Sequence, residues 1–263
     1  MINENLNLLL WNMENGADEA IGDAPVDYFA KSEEKISAVS APLIPKATAS
    51  EVAPAPVLPA VPLTQELLRD VKTLEELKTA MLNFNGCSLK ATAMNTVFGG
   101  GVPESKVMLV GEAPGADEDR IGLPFVGLSG KLLDKMLASI GLSREKNVYI
   151  SNILPWRPPG NRTPTPAEVA LCLPFIRKHI ELINPDILIL LGGSSASALL
   201  ATTEGVSRIR GRWLEYTIAE TGKNVDTLVT FHPAFLLRSA AQKKIAWKDM
   251  LTVKQKLNAL GEL

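Results

Sequence analysis

The chain has 263 residues, 46% of them hydrophobic, which is enough to bury a sizeable core in one large domain or two small ones. It contains no run of 18 uncharged apolar residues, and its start lacks the basic and apolar regions of a secretory signal, so we expect a cytoplasmic protein without a membrane contact. Only two cysteines, Cys87 and Cys172, are present, too few for a disulfide framework or a Cys-x-x-Cys metal site.

Charge is distributed unevenly along the chain, although the formal net charge is only -2. Residues 1–62 carry 3 Lys or Arg against 9 Asp or Glu, whereas the remainder carries 24 against 20. The larger part therefore has a modest excess of the sign that suits a surface facing phosphates.

Composition divides the chain into three predicted segments. Residues 1–37 are acidic and contain one apolar stretch, LLLW at residues 8–11, which fits either a tail or a short helix that binds a protein partner or the main domain. Residues 38–62 are rich in Pro and Ala and predict a linker. Residues 63–263 predict the catalytic domain.

The pattern from residue 63 onward alternates strands with helices, which indicates an α/β fold with a parallel sheet between two layers of helices. Four Val/Ile/Leu-rich runs predict strands buried on both faces, at residues 106–111, 147–152, 186–191 and 227–231. Helical spacing of apolar residues predicts helices at 63–84 (one or two), 130–140, 165–183, 194–201 and 243–260. In such a fold the functional loops follow the carboxyl ends of the strands.

The loop after the first strand reads GEAPGADEDRIGLPFVG from Gly111. A Gly-x-x-x-Gly turn after a strand also fits a phosphate-binding turn or a plain tight turn. The acids Glu112, Asp117, Glu118 and Asp119 would repel a negatively charged ligand. A neutral base with an activated water molecule would not be repelled.

Two further strand ends carry polar side chains. The second strand ends at Asn152, whose amide offers a donor and an acceptor side by side, as reading a pyrimidine edge requires, although a turn Asn is an equal alternative. The fourth strand leads into FHPAFLLR, which contains His232. The other histidine, His179, falls within a predicted helix and is expected to be a core or surface residue.

Three segments taken together, GEAPGADEDRIGLPFVG, SNILPWRPPGNR and FHPAFLLR, closely resemble the uracil-DNA glycosylase superfamily, particularly its family 4. The resemblance spans about residues 80–260 and includes the GGSSAS turn and the RGRW stretch. It does not cover the first 62 residues. It implies a three-layer α/β/α fold and an enzyme that flips uracil out of DNA and hydrolyses its N-glycosidic bond.

The resemblance also implies roles for residues in the pocket. Phe125 would stack on the flipped base, and Asn152 would bond its Watson–Crick edge. His232 would donate a hydrogen bond to uracil O2 as negative charge develops there. Glu112, with Glu118 as a helper, would orient the attacking water, and the backbone at Ala113 would help to hold base or water.

Other positions are expected to contact the DNA. Leu236, Leu237 and Arg238 resemble the family's intercalation loop, although leucines that start a core helix are the alternative. Ser194 and Ser195 open a helix and would bind a phosphate, or else serve as ordinary helix caps. No metal is required by this scheme.

The cysteines depart from the family pattern. Family 4 enzymes usually hold a [4Fe-4S] cluster through four cysteines, and Cys87 and Cys172 match the second and last of them. Phe84 and Trp156 stand where the first and third would be. Two thiolates are too few for an ordinary cluster, so we expect no cofactor and infer that aromatic packing takes over the cluster's structural role.

The prediction is therefore a monomeric uracil-DNA glycosylase of base excision repair, acting on single- or double-stranded DNA. Alternatives remain open at this point. They are a glycosylase for mispaired uracil, hypoxanthine or xanthine, a non-catalytic DNA-binding module whose acidic segment recruits a replication protein, and a generic nucleotide-binding α/β protein.

Overall fold

The computed structural model describes residues 60–261. The predicted acidic segment 1–37 lies outside this part of the chain, as does most of the predicted linker. The first described helix begins at Ala60, three residues before the predicted domain start, so the end of the predicted linker is helical. A proline at position 62 is compatible with that helix because it falls in the first turn, where backbone N–H groups have no intrahelical partner.

Within residues 60–261 the strands form one six-stranded sheet in the order β1-β3-β2-β4-β6-β5. The strands are β1 (Gly100–Gly101), β2 (Val107–Gly111), β3 (Val148–Asn152), β4 (Ile187–Leu191), β5 (Trp213–Thr217) and β6 (Asn224–Thr230). Strands β3, β2, β4 and β6 run parallel, as predicted. β1 and β5 pair antiparallel to the two outer parallel strands.

The two antiparallel edge strands correct the expectation of four strands. β1 consists of two glycines and offers no hydrophobic signal. β5 has the sequence WLEYT and buries only Tyr216, because it lies at the sheet edge. A strand that is neither strictly alternating nor continuously apolar falls between the two patterns by which strands are recognised.

The helices are α1 (Ala60–Leu68), α2 (Leu74–Asn83), α3 (Ser88–Thr92), α4 (Ala116–Ile121), α5 (Leu128–Ala138), α6 (Pro166–Ile183), α7 (Gly193–Leu200), α8 (Val206–Ile209), α9 (Pro233–Arg238) and α10 (Lys243–Leu260). Short 3₁₀ turns occupy Pro159–Asn161 and Ala240–Gln242. None of the described helices combines the length and apolarity needed to cross a membrane.

The core lies on both faces of the sheet, which gives the predicted three layers. Met108 and Val110 of β2 pack into a cluster with α2 and α6. Their neighbours Val107 and Leu109 point to the opposite face and pack with α5 and α10. Alternate side chains of a strand point to opposite faces, so a strand covered on both faces is continuously apolar.

Local signals fix the ends of the longest crossover helix, α6. Thr165 caps its start by accepting from the Glu168 backbone N–H, and the Glu168 side chain accepts from the Thr165 backbone N–H in return. Asn184 ends the helix in the left-handed conformation. The predicted boundaries of 165–183 follow from these residues. The parallel strands thus bring the loops after β2, β3 and β6 to one edge of the sheet.

Candidate active site

A cavity of about 460 Å³ opens at the carboxyl ends of β2, β3 and β6. It brings together residues from all three sequence motifs. The predicted site residues that line it are Glu112, Ala113, Glu118, Phe125, Asn152, His232 and Arg238.

Asn152 ends β3 and is 4% exposed. Its Oδ1 is buried and has no hydrogen-bond partner among the described residues. Gly111 allows this packing, because a Cβ there would lie 2.4 Å from Asn152 Oδ1 and 2.5 Å from Phe125 Cζ. A buried acceptor without a partner costs about 1–3 kcal/mol, so this oxygen is suited to a ligand that brings its own N–H group.

Phe125 forms the wall beside Asn152 and has a left-handed backbone with φ of 53°. Arg144 holds that backbone, donating from Nη1 to Pro124 O at 2.9 Å and from Nη2 to Phe125 O at 2.7 Å. The guanidinium is itself held by Asp134 at 2.8 Å. The Phe125 ring lies 5.5 Å from the His232 ring, centroid to centroid. Sequence reasoning missed Arg144 because its partners are backbone carbonyls about 20 residues earlier in the chain, and no local sequence pattern indicates such a contact.

His232 follows β6 and caps α9. Its Nδ1 accepts from the Ala234 backbone N–H at 3.2 Å, so in the neutral ring the proton resides on Nε2. Burial, and then the positive charge of Arg238, lowers the pKa of His232 to about 4. The side chain is therefore a neutral hydrogen-bond donor at physiological pH.

Glu112 is held by a hydroxyl from the neighbouring helix. Ser194 Oγ, at the start of α7, donates to Glu112 Oε2 at 2.5 Å. The Ser194 hydroxyl thus faces Glu112 in this structure, and the expected phosphate contact at the start of α7 stays a prediction. Ser194 limits the positions that the Glu112 side chain can adopt.

Glu118 has both carboxylate oxygens engaged by the backbone. Oε1 accepts from the N–H groups of Val126 and Gly127, each at 2.9 Å, and Oε2 accepts from Gly115 at 3.1 Å. The side chain is 7% exposed. The geometry thus ties the loop after β2 to the loop that carries Phe125, whereas the sequence predicted a helper in catalysis.

The predicted DNA-binding residues divide into exposed and buried ones. Ser195 is fully buried and donates to Gly192 O, so it does not reach a phosphate as expected. Leu236 is 1% exposed and packs with Phe231 and Ala246, which contradicts its expected role as a wedge. Leu237 is 44% exposed, and Arg238 is exposed as well. A helix, α9, forms in this loop, so its leucines alternate between core and solvent.

Some lining residues were not predicted from the sequence. Ser129 sits in the first turn of α5, and Phe235 lies within the FHPAFLLR motif itself. Pro158 and Asn161 come from the loop after β3. Their positions within or beside the quoted motifs were the only available signal.

His179 is a core residue, as expected. It is 1% exposed, and its Nε2 lies 2.9 Å from the Tyr149 hydroxyl. Burial lowers the pKa of His179 to about 3 and raises the pKa of Tyr149 above its ordinary value. This pair lies outside the residues that line the cavity.

Cys87 and Cys172 are both buried. The interaction between the two thiols lowers the pKa of Cys87 to about 7 and raises the pKa of Cys172, which burial raises further. The Phe84 and Trp156 rings stack with centroids 6.2 Å apart, and Phe175 meets both edge-on. All belong to one core cluster.

These residues do not fit an iron–sulfur cluster. Two thiols are half of the usual ligand set, and aromatic side chains replace the other two. In the described part of the chain, His, Cys, Asp and Glu side chains nowhere gather in threes that could hold a metal ion.

Comparison with known proteins agrees with the geometry. The family described as the uracil DNA glycosylase superfamily matches residues 98–251. A Type-4 uracil-DNA glycosylase of Archaeoglobus fulgidus is 40% identical over 171 residues, covering 64% of this chain and 84% of the relative. The Type-4 enzyme of Thermotoga maritima is 38% identical over 178 residues, covering 66% and 90%. The chain belongs to the uracil-DNA glycosylase superfamily.

Proposed function

We propose that this protein removes uracil from DNA by hydrolysing the bond between the base and the sugar, leaving an abasic site for base excision repair. Family membership supports this function. The observation that carries it is the buried Asn152 Oδ1, which has no hydrogen-bond partner within residues 60–261 and shares a cavity with the Phe125 ring and the His232 imidazole. The alternatives of a non-catalytic DNA-binding module and a nucleotide-binding protein leave this constellation without a purpose.

Asn152 supplies the choice of base. Uracil carries an N–H group at N3, whereas cytosine has an acceptor there, which would face the Asn152 oxygen without a proton between them. Phe125 stacks on the flipped ring, and flipping itself costs a few kcal/mol of stacking and pairing. Uracil in the pocket thus donates a hydrogen bond to Asn152 Oδ1, whereas cytosine in the same position would leave that oxygen without a donor.

His232 and Glu112 divide the charge that bond cleavage creates. As the C1′–N1 bond breaks, its electron pair leaves with uracil, and the neutral Nε2–H of His232 stabilises the charge on O2. Glu112 orients a water for attack on C1′, opposes the positive charge of the sugar and accepts the water's proton. Glu118 acts as a positioning residue, and Ala113 contributes its backbone at the cavity wall.

The exposed side chains beside the cavity open the duplex. Leu237 fills the gap left by the flipped nucleotide, and Arg238 binds a phosphate of the same strand. Leu236 supports them from the core.

We further propose that residues 63–263 work as a monomeric catalytic domain without an iron–sulfur cluster. The aromatic packing of Phe84 and Trp156 supports the proposed absence of a cluster. We propose cytoplasmic, nucleoid-associated action, and a protein partner for the acidic residues 1–37. Light scattering after size exclusion tests the monomer, and co-precipitation by the wild-type protein, compared with one lacking residues 1–37, tests the partner.

The first test of function is release of free base from oligonucleotides that contain one uracil, single-stranded or opposite G or A. Release that falls steeply in His232→Ala is expected. Hypoxanthine is the informative second substrate, because its N1–H also suits the Asn152 oxygen. Release of hypoxanthine but not of uracil would move the assignment to that base, and release of neither would overturn it.

A further inference from the structure

A second, apolar cavity of about 230 Å³ borders α9, the helix that also contributes to the catalytic pocket. Helices α5, α9 and α10 enclose it through Leu132, Met136, Leu236, Ala246, Trp247 and Met250. Trp247 is 41% exposed, although it borders this apolar space. An exposed tryptophan beside an apolar hollow is an available stacking surface.

Lysines surround this tryptophan. Lys135 and Lys243 line the cavity, and Lys244 lies one helical turn before Trp247 on the same face of α10. All three are exposed, and none forms a salt bridge with another described residue. We call Lys135, Lys243, Lys244 and Trp247 the Trp247 surface.

In the described part of the chain, the acids next to these residues in sequence are paired with arginines. Asp134, which neighbours Lys135, is bonded to Arg144, and Asp249, two residues from Trp247, is buried against Arg210. The Trp247 surface therefore combines an aromatic ring with cations that form no salt bridge within residues 60–261. Proteins use this combination to bind single-stranded nucleic acid, with phosphates on the cations and a base on the ring.

The Trp247 surface is continuous with the catalytic pocket through α9. Leu236 lines the second cavity, while Phe235 and Arg238 of the same helix line the first. Leu237, which lies between Leu236 and Arg238 in the sequence of this helix, is exposed. A strand whose uracil occupies the catalytic pocket and whose stack is filled by Leu237 can continue across this helix to Trp247.

We propose that the Trp247 surface binds an unpaired nucleotide that flanks the uracil on the same strand, stacking its base on Trp247 and pairing its phosphate with Lys243. This inference rests on the proposed function, because uracil in the pocket places the strand. It gives the enzyme a preference for uracil in single-stranded or locally opened DNA.

The test uses uracil oligonucleotides whose flanks are lengthened one nucleotide at a time, on the 5′ side only or the 3′ side only. For the wild-type protein we expect kcat/KM to rise when one of the two flanks becomes long enough to reach Trp247. In Trp247→Ala the ratio of kcat/KM on the long oligonucleotide to that on the short one should fall about tenfold, the effect of losing one base-stacking contact. Trp247→Phe should restore most of that ratio.

The matched control is Leu260→Ala, which also truncates an exposed apolar side chain of α10 but lies about 20 Å further along the helix. Equal long-to-short ratios in Trp247→Ala and Leu260→Ala would overturn the proposal. A rise in kcat/KM with oligonucleotide length that is seen only in duplex DNA would also overturn it, because the flanking base would then be paired and unavailable for stacking.

Binding without catalysis separates this proposal from the glycosylase itself. The affinity for a uracil-free single strand, measured by fluorescence anisotropy, should become less salt-dependent in Lys243→Ala, with a log–log slope about 0.7 shallower. An unchanged slope would contradict the phosphate contact. Absence of uracil release by the wild type would instead overturn the proposed function, while these binding measurements still report on the Trp247 surface.

Discussion

The buried Asn152 oxygen links stability to function at the scale of one residue. In the free protein this acceptor has no partner among the described residues, and such a group costs about 1–3 kcal/mol. Asn152→Ala should therefore lower kcat/KM for uracil at least about a hundredfold, yet raise the free energy of unfolding by about 1 kcal/mol. Uracil release and urea denaturation measure the two effects. A variant that loses both activity and stability would contradict the assignment of this oxygen to the substrate.

Adjacent serines provide a second residue-scale test. Ser194 bonds Glu112 and Ser195 bonds the backbone of Gly192, so only the first touches a proposed catalytic group. We expect Ser194→Ala to slow single-turnover uracil release about tenfold, because a hydrogen bond to a charged group contributes about 1.5–3 kcal/mol. Ser195→Ala serves as the control. Equal losses in the two variants would point to damage to α7 rather than to Glu112.

Sequence reasoning reached Asn152 and His232 because each follows a buried strand and lies in a distinctive motif. It did not distinguish the buried Leu236 from the exposed Leu237. Which leucine is buried depends on the rotation of α9 about its axis, and the sequence does not determine that rotation. It also assigned Ser194 to DNA. Its hydroxyl faces Glu112, 82 residues earlier in the chain, and such a contact has no local signal.

At the scale of elements, the loop that carries Phe125 is held in place by a side chain from another segment of the chain. Its left-handed residue is not glycine, and conformations of this kind persist only when surrounding contacts impose them. Arg144 supplies those contacts through two backbone carbonyls. The catalytic pocket thus depends on Arg144, a residue in the segment between α5 and β3 that does not itself line the cavity.

We therefore expect Arg144→Ala to raise KM for uracil DNA about tenfold by releasing the Phe125 ring, with a smaller effect on kcat. Steady-state kinetics on one oligonucleotide give both values. Asp134→Asn is the comparison, because it removes the ion pair of Arg144 and leaves the two carbonyl contacts in place. A larger effect for Asp134→Asn than for Arg144→Ala would show that the carbonyl contacts do not position the ring.

The parallel strands of the sheet were predictable because burial on both faces imposes unbroken apolar runs such as ILILL in β4. The edge strand β5 was missed because Glu215 and Thr217 face solvent there. Capping residues fixed the ends of α6, whereas short helices such as α3 and α8 lack comparable signals. Elements buried on both faces are thus more readily predicted than those at the margin.

For the whole molecule, buried histidine predicts how stability depends on pH. The pKa of His179 is about 3 in the folded protein and about 6.5 when exposed, because burial disfavours the charged ring. The contribution of neutral His179 is therefore complete above about pH 6.5 and is lost as the pH falls toward 3, since the unfolded chain then binds the extra proton.

Between pH 6.5 and pH 4 we expect the wild type to lose about 3 kcal/mol more stability than His179→Gln, because its unfolded chain binds one extra proton over most of that range. Urea denaturation at each pH provides the measurement. The carboxylates titrate in both proteins, so the difference between the two curves isolates His179. Parallel curves would show that His179 does not control acid stability.

Metal removal provides the second whole-molecule prediction. Protein purified without oxygen should contain no stoichiometric iron, should show no absorbance band near about 400 nm, and should keep its uracil release and melting temperature after dialysis against a chelator. Elemental analysis, spectroscopy and the activity assay check these points. A brown protein whose activity and melting temperature fall together on chelation would contradict the proposed absence of a cluster.

The stacked Phe84 and Trp156 rings affect the conditions under which an enzyme without a cluster can be active. A cluster must be assembled and inserted after translation, and oxidants that damage DNA also attack exposed iron–sulfur centres. Aromatic side chains arrive with the polypeptide and survive the same oxidants far better than iron does. A repair enzyme stabilised in this way would be complete as soon as it is translated and folded, independent of iron supply. It would also remain folded under the oxidative conditions that damage DNA.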